Sequence, residues 1–221
     1  SVAVHAYTAL GGIVGFFALV ALGEKDFGRA LLLLGIATWI DYTDGTLARR
    51  FNIRQLLPAV DGATLDRVVD FFTTVIFPLY LLWQAELLPW SPLTWVMLIM
   101  IVASFRFSRT FDPWIRDGFN WGLPSFWIYP AFYIFLVKPP ELLIGSILLV
   151  TAVFGCLPIG HIHVGRLRRL RRLSVAGLVA WWLWYFLTVL QVISSSTWLV
   201  LASAIFPAYY LVVSWALFWR Y

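Results

Sequence analysis

The sequence LLLLGIATWI (Leu31–Ile40) runs directly into DYTDGTLARR (Asp41–Arg50), and DGATLDRVVD (Asp61–Asp70) follows ten residues later. Five of the eleven acidic residues of the chain fall within the thirty positions from Asp41 to Asp70. An Asp at the centre of a membrane helix costs about 2.5–3.5 kcal/mol on the insertion scale. Carboxylates clustered between apolar segments therefore imply compensation by metal ions, protons or cationic groups, and they mark the expected functional site.

The composition of the whole chain indicates a membrane protein. Of its 221 residues, 62% are hydrophobic and 12% are charged, whereas a soluble domain carries about 25% charged residues. The thirteen Trp residues fit the aromatic enrichment that is typical of membrane interfaces. The single Cys156 excludes an internal disulfide framework. We therefore predict an all-α polytopic helix bundle that forms one membrane-embedded domain over residues 1–221.

Eight apolar segments, separated by short joints with breakers or polar residues, predict eight transmembrane helices. Each segment is close to the ~20 residues that a bilayer requires, except for a short fifth helix. Because the joints are short, neighbouring helices should run antiparallel. The expected helices cover residues 4–22, 28–50, 63–84, 90–108, 122–137, 141–160, 174–193 and 196–218.

The distribution of basic residues predicts the orientation of these helices. With the N-terminus in the cytoplasm, 13 of the 16 Lys and Arg residues lie in cytoplasmic connections, at the C-terminus or at adjoining helix ends. Only Lys25, Arg29 and Lys138 fall elsewhere. The positive-inside rule therefore favours two cytoplasmic termini and places the acidic segments in the cytoplasmic third of the membrane.

The acidic residues form two stripes at helical spacing, and each stripe combines carboxylates with small residues. Carboxylate oxygens suit Mg2+ or Mn2+, and two such ions about 3.5–4 Å apart would clamp the attacking and leaving oxygens of a phosphoryl displacement. Small residues let a phosphate or nucleotide approach the backbone, and Arg49 adds a forked cation for phosphate oxygens. The first stripe is Asp41, Asp44, Gly45 and Ala48, at i, i+3, i+4 and i+7, and the second is Gly62, Asp66 and Asp70, at i, i+4 and i+8.

Other interpretations explain part of this pattern. Asp residues in membrane helices also form proton relays or ion paths, and Gly and Ala spacing also serves helix packing. A small ion-coupled transporter is therefore the alternative class. Transporters often carry inverted repeats with broken helices in both halves, whereas the acidic pair is unmatched in the second half of this chain, which favours an enzyme. Asp61 lies off both stripes and is expected to be a solvated loop residue, and His5 is expected to be an interfacial residue.

The segment from Asp41 to Asp70 resembles the signature of the CDP-alcohol phosphotransferase superfamily, D-x2-D-G-x2-A-R…G-x3-D-x3-D. All eight signature residues are present. The gap of twelve residues between Arg49 and Gly62 is similar to that of one branch, the bacterial phosphatidylcholine synthases. Other stretches also look like that branch, and the resemblance covers most of the chain. They are ARRFNIRQLLPAVDGATLDRVVDF, GLPSFW (Gly122–Trp127) and CLPIGHIHVGRLRRLRRL (Cys156–Leu173).

The resemblance implies an enzyme of the bacterial inner membrane that transfers a phosphatidyl group from CDP-diacylglycerol to choline, giving phosphatidylcholine and CMP. It implies that Asp70 is the general base for the choline hydroxyl. The branch usually has an Asn where this chain has Ile128, so a different acceptor, as in a phosphatidylserine synthase, is the alternative. By the same resemblance, Asp41, Asp44, Asp66 and Asp70 bind two Mg2+ or Mn2+ ions, and Asp44, Gly45, Ala48, Arg49 and Gly62 line the nucleotide site.

Choline carries a quaternary ammonium, which aromatic faces bind through cation–π attraction. The candidates are Trp121, Phe126, Tyr129 and Trp127, of which Trp127 is taken as substrate-binding. Enrichment of Trp and Tyr at the interface is the competing explanation for all four.

The basic run from Arg166 to Arg172 is the remaining conspicuous feature. A cytoplasmic Arg cluster beside a membrane helix is typically a topology determinant that attracts anionic lipid head groups, so the expected partner is the bilayer and not a nucleic acid. The sequence leaves the oligomeric state open, with a homodimer among the alternatives.

Overall fold

The computed structural model describes residues 2–50, 61–108, 119–121, 127–157, 160–162, 171–190 and 197–218. Within these residues the chain forms eight helices and one short antiparallel ribbon. The helices are α1 (Val2–Gly23), α2 (Phe27–Arg50), α3 (Gly62–Phe71, continued by a π-helical segment Phe72–Ile76 and by Phe77–Gln84), α4 (Pro92–Ser108), α5 (Ile128–Val137), α6 (Glu141–Cys156), α7 (Arg171–Val189) and α8 (Thr197–Ser203, continued by Ile205–Phe218). The strands are β1 (Phe119–Trp121) and β2 (Gly160–Ile162).

The predicted all-α membrane bundle is confirmed. Among the described residues, three helical stretches are long and apolar enough to cross a membrane, namely Ala3–Gly23, Arg172–Val189 and Trp198–Ala216, while α4, α5 and α6 are shorter apolar helices. Large apolar side chains are exposed around the bundle, as expected where a protein surface faces lipid; Leu142 is 71% and Val212 is 65% exposed. The number of membrane spans stays a prediction.

The sixth predicted helix is wrong at its C-terminal end. α6 ends at Cys156 rather than at residue 160, because Leu157 adopts an extended conformation with φ −72° and ψ 145°. Residues that precede a proline favour this region, and Pro158 follows. The chain then enters β2, which pairs with β1 and contacts α8. Strands of three residues are too short for a periodic sequence pattern to indicate them.

Other helices also begin one to three residues away from their predicted starts. α4 begins at Pro92 rather than at residue 90, because Trp90 has a φ of 45°, outside the helical range. α5 begins at Ile128, after a turn at Trp127, and residues 122–126 of its predicted range lie outside the described residues. α7 begins at Arg171, three positions before the predicted start at residue 174, and ends at Val189.

An ion pair between the α1–α2 joint and the residues after α3 shows which ends of these three helices lie together. Nζ of Lys25, in the joint between α1 and α2, lies 3.7 Å from Oε1 of Glu86, which follows α3. Both side chains are exposed, so the pair contributes little stability, but it places these two joints at the same end of the bundle. The acidic end of α2 and the acidic start of α3 therefore meet at the opposite end.

Two clusters of buried apolar side chains hold the bundle together. The first lies between α1, α2, α3, α5 and α7, and includes Leu34, Phe77, Phe132 and Tyr185. Tyr185 also donates a buried hydrogen bond from Oη to the carbonyl oxygen of Leu31, at 2.7 Å, which ties α7 to α2. The second cluster joins α3 to α4, α5 and α6. These contacts position α2 and α3 side by side, with their acidic ends adjacent.

Candidate active site

Three carboxylates from α2 and α3 converge at the end where these helices meet. Asp41, Asp44 and Asp66 each offer one oxygen, and the three oxygens lie within 4.8 Å of one another. Asp44 is 3% exposed, and the other two are half-buried. Negative charges at this distance repel each other strongly in a membrane protein interior. An all-oxygen donor set of this kind fits a hard divalent cation such as Mg2+ or Mn2+.

The fourth signature carboxylate lies beside this group. Asp70 is half-buried and is one turn after Asp66 on the same face of α3. It interacts electrostatically with Asp44 and Asp66, and Asp41 interacts with all three of the others. The fold therefore brings together the four carboxylates that the sequence predicted as metal ligands, while their individual roles stay predictions.

A π-helical segment, Phe72–Ile76, begins two residues after Asp70. Pro78 has no amide hydrogen to donate to the helix, and the amide of Phe77 donates to the carbonyl of Phe72 in an i to i+5 bond. The hydroxyl of Thr74 donates to the carbonyl of Asp70 at 2.6 Å. The carboxylates lie before this wider turn, and Phe77, which follows it, packs in the first apolar cluster. Such segments occur frequently at functional sites.

The start of α1 also reaches the site, which the sequence did not predict. The hydroxyl oxygen of Tyr7 lies 2.9 Å from the hydroxyl oxygen of Thr43, the residue that precedes Asp44. The ring of His5 lies against Gly62, where an added Cβ would be only 2.9 Å from Cε1. His5 is therefore packed on a signature glycine, and its assignment as a simple interfacial residue is incomplete. The sequence signal is that His5 and Tyr7 lie at the same predicted membrane depth as the carboxylates.

The remaining signature residues are only partly described. Gly45 is half-buried and follows Asp44 on α2. Gly62 is the first residue of α3 and is also half-buried. Ala48 and Arg49 belong to the last turn of α2, and their side chains lie outside the described part of the chain.

Asp61 is exposed and serves as the N-cap of α3 rather than as part of the carboxylate group. Its carboxylate accepts hydrogen bonds from the amide of Ala63 at 3.1 Å and from the hydroxyl of Thr64 at 2.5 Å. The Thr64 hydrogen bond is the main cause that lowers the pKa of the Asp61 carboxyl below its usual value. The position of Asp61 off the two stripes is thus explained by a capping role.

The aromatic candidates for choline binding separate into two places. Trp127 is 6% exposed and packs in the second apolar cluster. Tyr129 instead lies against Trp181, with ring centroids 4.8 Å apart, and is hydrogen-bonded to Tyr42, the neighbour of Asp41. Tyr129 is therefore on the side of the carboxylates and Trp127 belongs to a different cluster. The side chain of Trp121 and the whole of Phe126 lie outside the described residues.

Comparisons with known proteins agree with the resemblance in the sequence. No protein-family model matches the chain. A phosphatidylcholine synthase of Agrobacterium fabrum is 30% identical over 200 residues, which cover 90% of this chain and 83% of that protein. One from Pseudomonas aeruginosa is 31% identical over 179 residues, or 80% of this chain and 75% of that protein. One from Legionella bozemanae is 34% identical over 158 residues, which cover 70% of this chain and 71% of that protein.

Proposed function

The chain belongs to the phosphatidylcholine synthase family, and from this membership we propose that it transfers a phosphatidyl group from CDP-diacylglycerol to choline and releases CMP. The observation that carries the proposal is the convergence of Asp41, Asp44 and Asp66, with oxygens within 4.8 Å of one another. A diphosphate substrate needs its negative charge neutralised during transfer, and this site has the ligands to hold the cations that do so.

The four carboxylates would hold two Mg2+ or Mn2+ ions, as the resemblance implies, and Asp41, Asp44 and Asp66 have oxygens within 4.8 Å of one another. When bound, the ions supply positive charge to the diphosphate and to the oxygen that leaves with CMP. Gly45 would let the nucleotide approach the backbone of α2, and the nucleotide site would continue along α3 to Gly62, on which the ring of His5 lies. Arg49 would bind phosphate oxygens through its forked guanidinium group.

Asp70 is the base in this proposal. Its carboxylate accepts the proton of the choline hydroxyl while the choline oxygen bonds to the phosphorus of the phosphatidyl group. The bond from that phosphorus to the bridging oxygen breaks, and CMP leaves with the electron pair. The position of Asp70 beside Asp66 supports this role, because the base must lie next to the phosphoryl group.

The trimethylammonium group of choline would bind on the aromatic side of the carboxylates. Tyr129 stacks obliquely on Trp181 and is hydrogen-bonded to Tyr42, which directly follows Asp41. Aromatic faces attract a quaternary ammonium, and a nearby carboxylate adds to that attraction. We assign the acceptor to this side rather than to Trp127, which is enclosed by apolar residues.

The proposal places the protein in the bacterial inner membrane, with both termini and the carboxylates on the cytoplasmic side. The positive-inside rule supports this orientation. It also agrees with the chemistry of the substrates, since CDP-diacylglycerol and the lipid product stay in the bilayer while the released CMP is a cytoplasmic solute.

Release of CMP by the purified protein tests the proposal. The protein is incubated with CDP-diacylglycerol, Mg2+ or Mn2+, and one labelled alcohol at a time, including choline, serine, glycerol and inositol. We expect CMP and labelled phosphatidylcholine with choline alone. Serine as the preferred acceptor would identify the alternative to which Ile128 points. Absence of CMP release with every alcohol would refute transfer from this donor.

A further inference from the structure

His5 is a polar residue at the candidate site that the superfamily signature does not contain. Its ring lies on Gly62, the first residue of the stripe that continues to Asp66 and Asp70. We propose that His5 binds the cytidine moiety of the donor through a hydrogen bond from Nε2, an inference that rests on the proposed function. This assignment adds α1 to the two helices that carry the signature.

The direction in which the nucleotide must extend supports this assignment. Asp66 is four positions after Gly62 on the helix, which corresponds to a rise of about 6 Å. If the diphosphate is held at the carboxylates, the nucleoside extends along α3 either toward the apolar segment after Asp70 or toward Gly62. The first direction leads to the buried Val75 and Phe77, and the hydroxyls of Thr73 and Thr74 in this segment already donate to backbone carbonyls. The second leads to His5, whose ring lies on Gly62.

The side chain of His5 has an unused hydrogen-bonding atom in this position. Its Nε2 is buried and has no hydrogen-bond partner among the described residues of the chain. A buried polar nitrogen without a partner is unfavourable, and a neutral imidazole can use it either to donate or to accept. A ribose hydroxyl or a carbonyl of the base would satisfy it.

The packing of α1 holds His5 in place. Two residues after His5, the hydroxyl of Tyr7 lies 2.9 Å from that of Thr43 on α2. On the next turn, an added Cβ at Gly12 would meet Val69 of α3 at 3.4 Å, an ordinary packing distance. α1 is thus fixed against both carboxylate helices, and the imidazole occupies a defined position relative to Asp66. Preorganisation of this kind is what a nucleotide contact requires.

Variants of His5 test the inference. His5→Phe keeps a ring against Gly62 but removes the hydrogen bond, and His5→Gln returns a terminal nitrogen near the position of Nε2. We expect His5→Phe to raise the Kd for CMP in Mg2+ and the KM for CDP-diacylglycerol about tenfold, the loss typical of one hydrogen bond. The KM for choline and the Tm should stay close to the wild-type values. His5→Gln should recover most of the affinity.

A measurement on the wild-type protein makes the test independent of folding in the variants. The chain has three His residues, so the ring nitrogens can be followed by 15N NMR in detergent, with His5→Gln assigning the His5 signal. Addition of CMP and Mg2+ should shift Nε2 of His5, whereas choline should not.

The outcomes separate this inference from the proposed function. Unchanged CMP affinity in His5→Phe, or an Nε2 signal that does not respond to CMP in an active wild-type protein, overturns the role of His5 alone. A fall in Tm with equal losses for both substrates would show that His5 only packs, and this also overturns the inference. A wild-type protein that neither binds CMP nor releases it overturns the proposed function together with the inference.

Discussion

The hydroxyl oxygen of Tyr7 lies 2.9 Å from the hydroxyl oxygen of Thr43, so α1 is hydrogen-bonded to α2 one residue before Asp44. Thr43 also donates within its own helix, to the carbonyl oxygens of Trp39 and Ile40. The hydroxyl of Thr43 therefore links the backbone of α2 to α1 at the level of the carboxylates. This relationship makes the first helix part of the site, although none of its residues belongs to the superfamily signature.

Activity should depend on a divalent cation and on the three convergent carboxylates. Asp41→Asn and Asp66→Asn each remove one charged ligand, so we expect kcat to fall about a hundredfold or more. The affinity for Mn2+, measured by EPR titration, should weaken in both variants. Excess EDTA should abolish turnover, and added Mg2+ should restore it. Full turnover in EDTA would contradict a role for the carboxylates as metal ligands.

Asp61 provides the matched control for the metal-ligand variants. It is close in sequence to Asp66, but its carboxylate caps α3 and does not belong to the carboxylate group. Asp61→Asn keeps a side-chain oxygen for the amide of Ala63 and should retain both activity and Tm. Asp61→Ala removes the cap, so the Tm should fall while Mn2+ affinity stays unchanged. The two readouts are a thermal melt in detergent and the EPR titration. Loss of Mn2+ binding in Asp61→Asn would mean that Asp61 belongs to the metal site.

The convergence of the four carboxylates could be predicted from the sequence, because it depends on two local properties. Helical periodicity places Asp41 with Asp44, and Asp66 with Asp70, on single faces. Because only the eleven residues 51–61 connect α2 to α3, the two helices are expected to be neighbours. The position of His5 could not be predicted in this way, because it depends on how α1 packs against α3, and helical periodicity does not specify which neighbour a face meets.

Irregular turns within helices, and the partners of individual side chains, could not be predicted from the sequence either. The helices in the described part of the chain follow from apolar segments of suitable length, whereas the π segment after Asp70 depends on individual hydrogen bonds, such as that from the amide of Phe77 to the carbonyl of Phe72, which no sequence period indicates. Trp127 and Tyr129 are two residues apart at the start of α5, yet they enter different apolar surroundings. Only the packing of α5 between the two clusters decides which of them lies near Asp41.

Gly62 should tolerate a larger residue only if His5 is also changed. Replacement of Gly by Ala in a compatible position usually stabilises a protein by about 0.4–1 kcal/mol. In Gly62→Ala, however, the new Cβ would lie 2.9 Å from the ring of His5. We expect the Tm of the single variant to fall, and the Tm of His5→Ala/Gly62→Ala to exceed that of His5→Ala. A fall in Tm of equal size in both backgrounds would contradict the contact between the two residues.

The orientation in the membrane can be tested with one cysteine at each end of the bundle. Cys156 is exposed and must first be replaced by Ser. Ala63→Cys, in the exposed first turn of α3, should react with an impermeant thiol reagent only in inside-out vesicles. Glu86→Cys, beside Lys25 at the opposite end, should react only from the outer face. The reverse pattern would place the carboxylates outside and contradict a cytoplasmic active site.

Asp70→Asn separates the role of a base from that of a metal ligand. Transfer of a proton to a positioned side chain typically contributes about 10²–10⁴-fold to the rate. An amide cannot accept this proton, so we expect kcat to fall within that range. Binding of CDP-diacylglycerol should change much less, because Asp41, Asp44 and Asp66 form the closest set of oxygens without Asp70. Liponucleotide binding and single-turnover kinetics are to be measured in the same preparation. If binding weakens as much as the rate, Asp70 acts mainly as a metal ligand and another group must accept the proton.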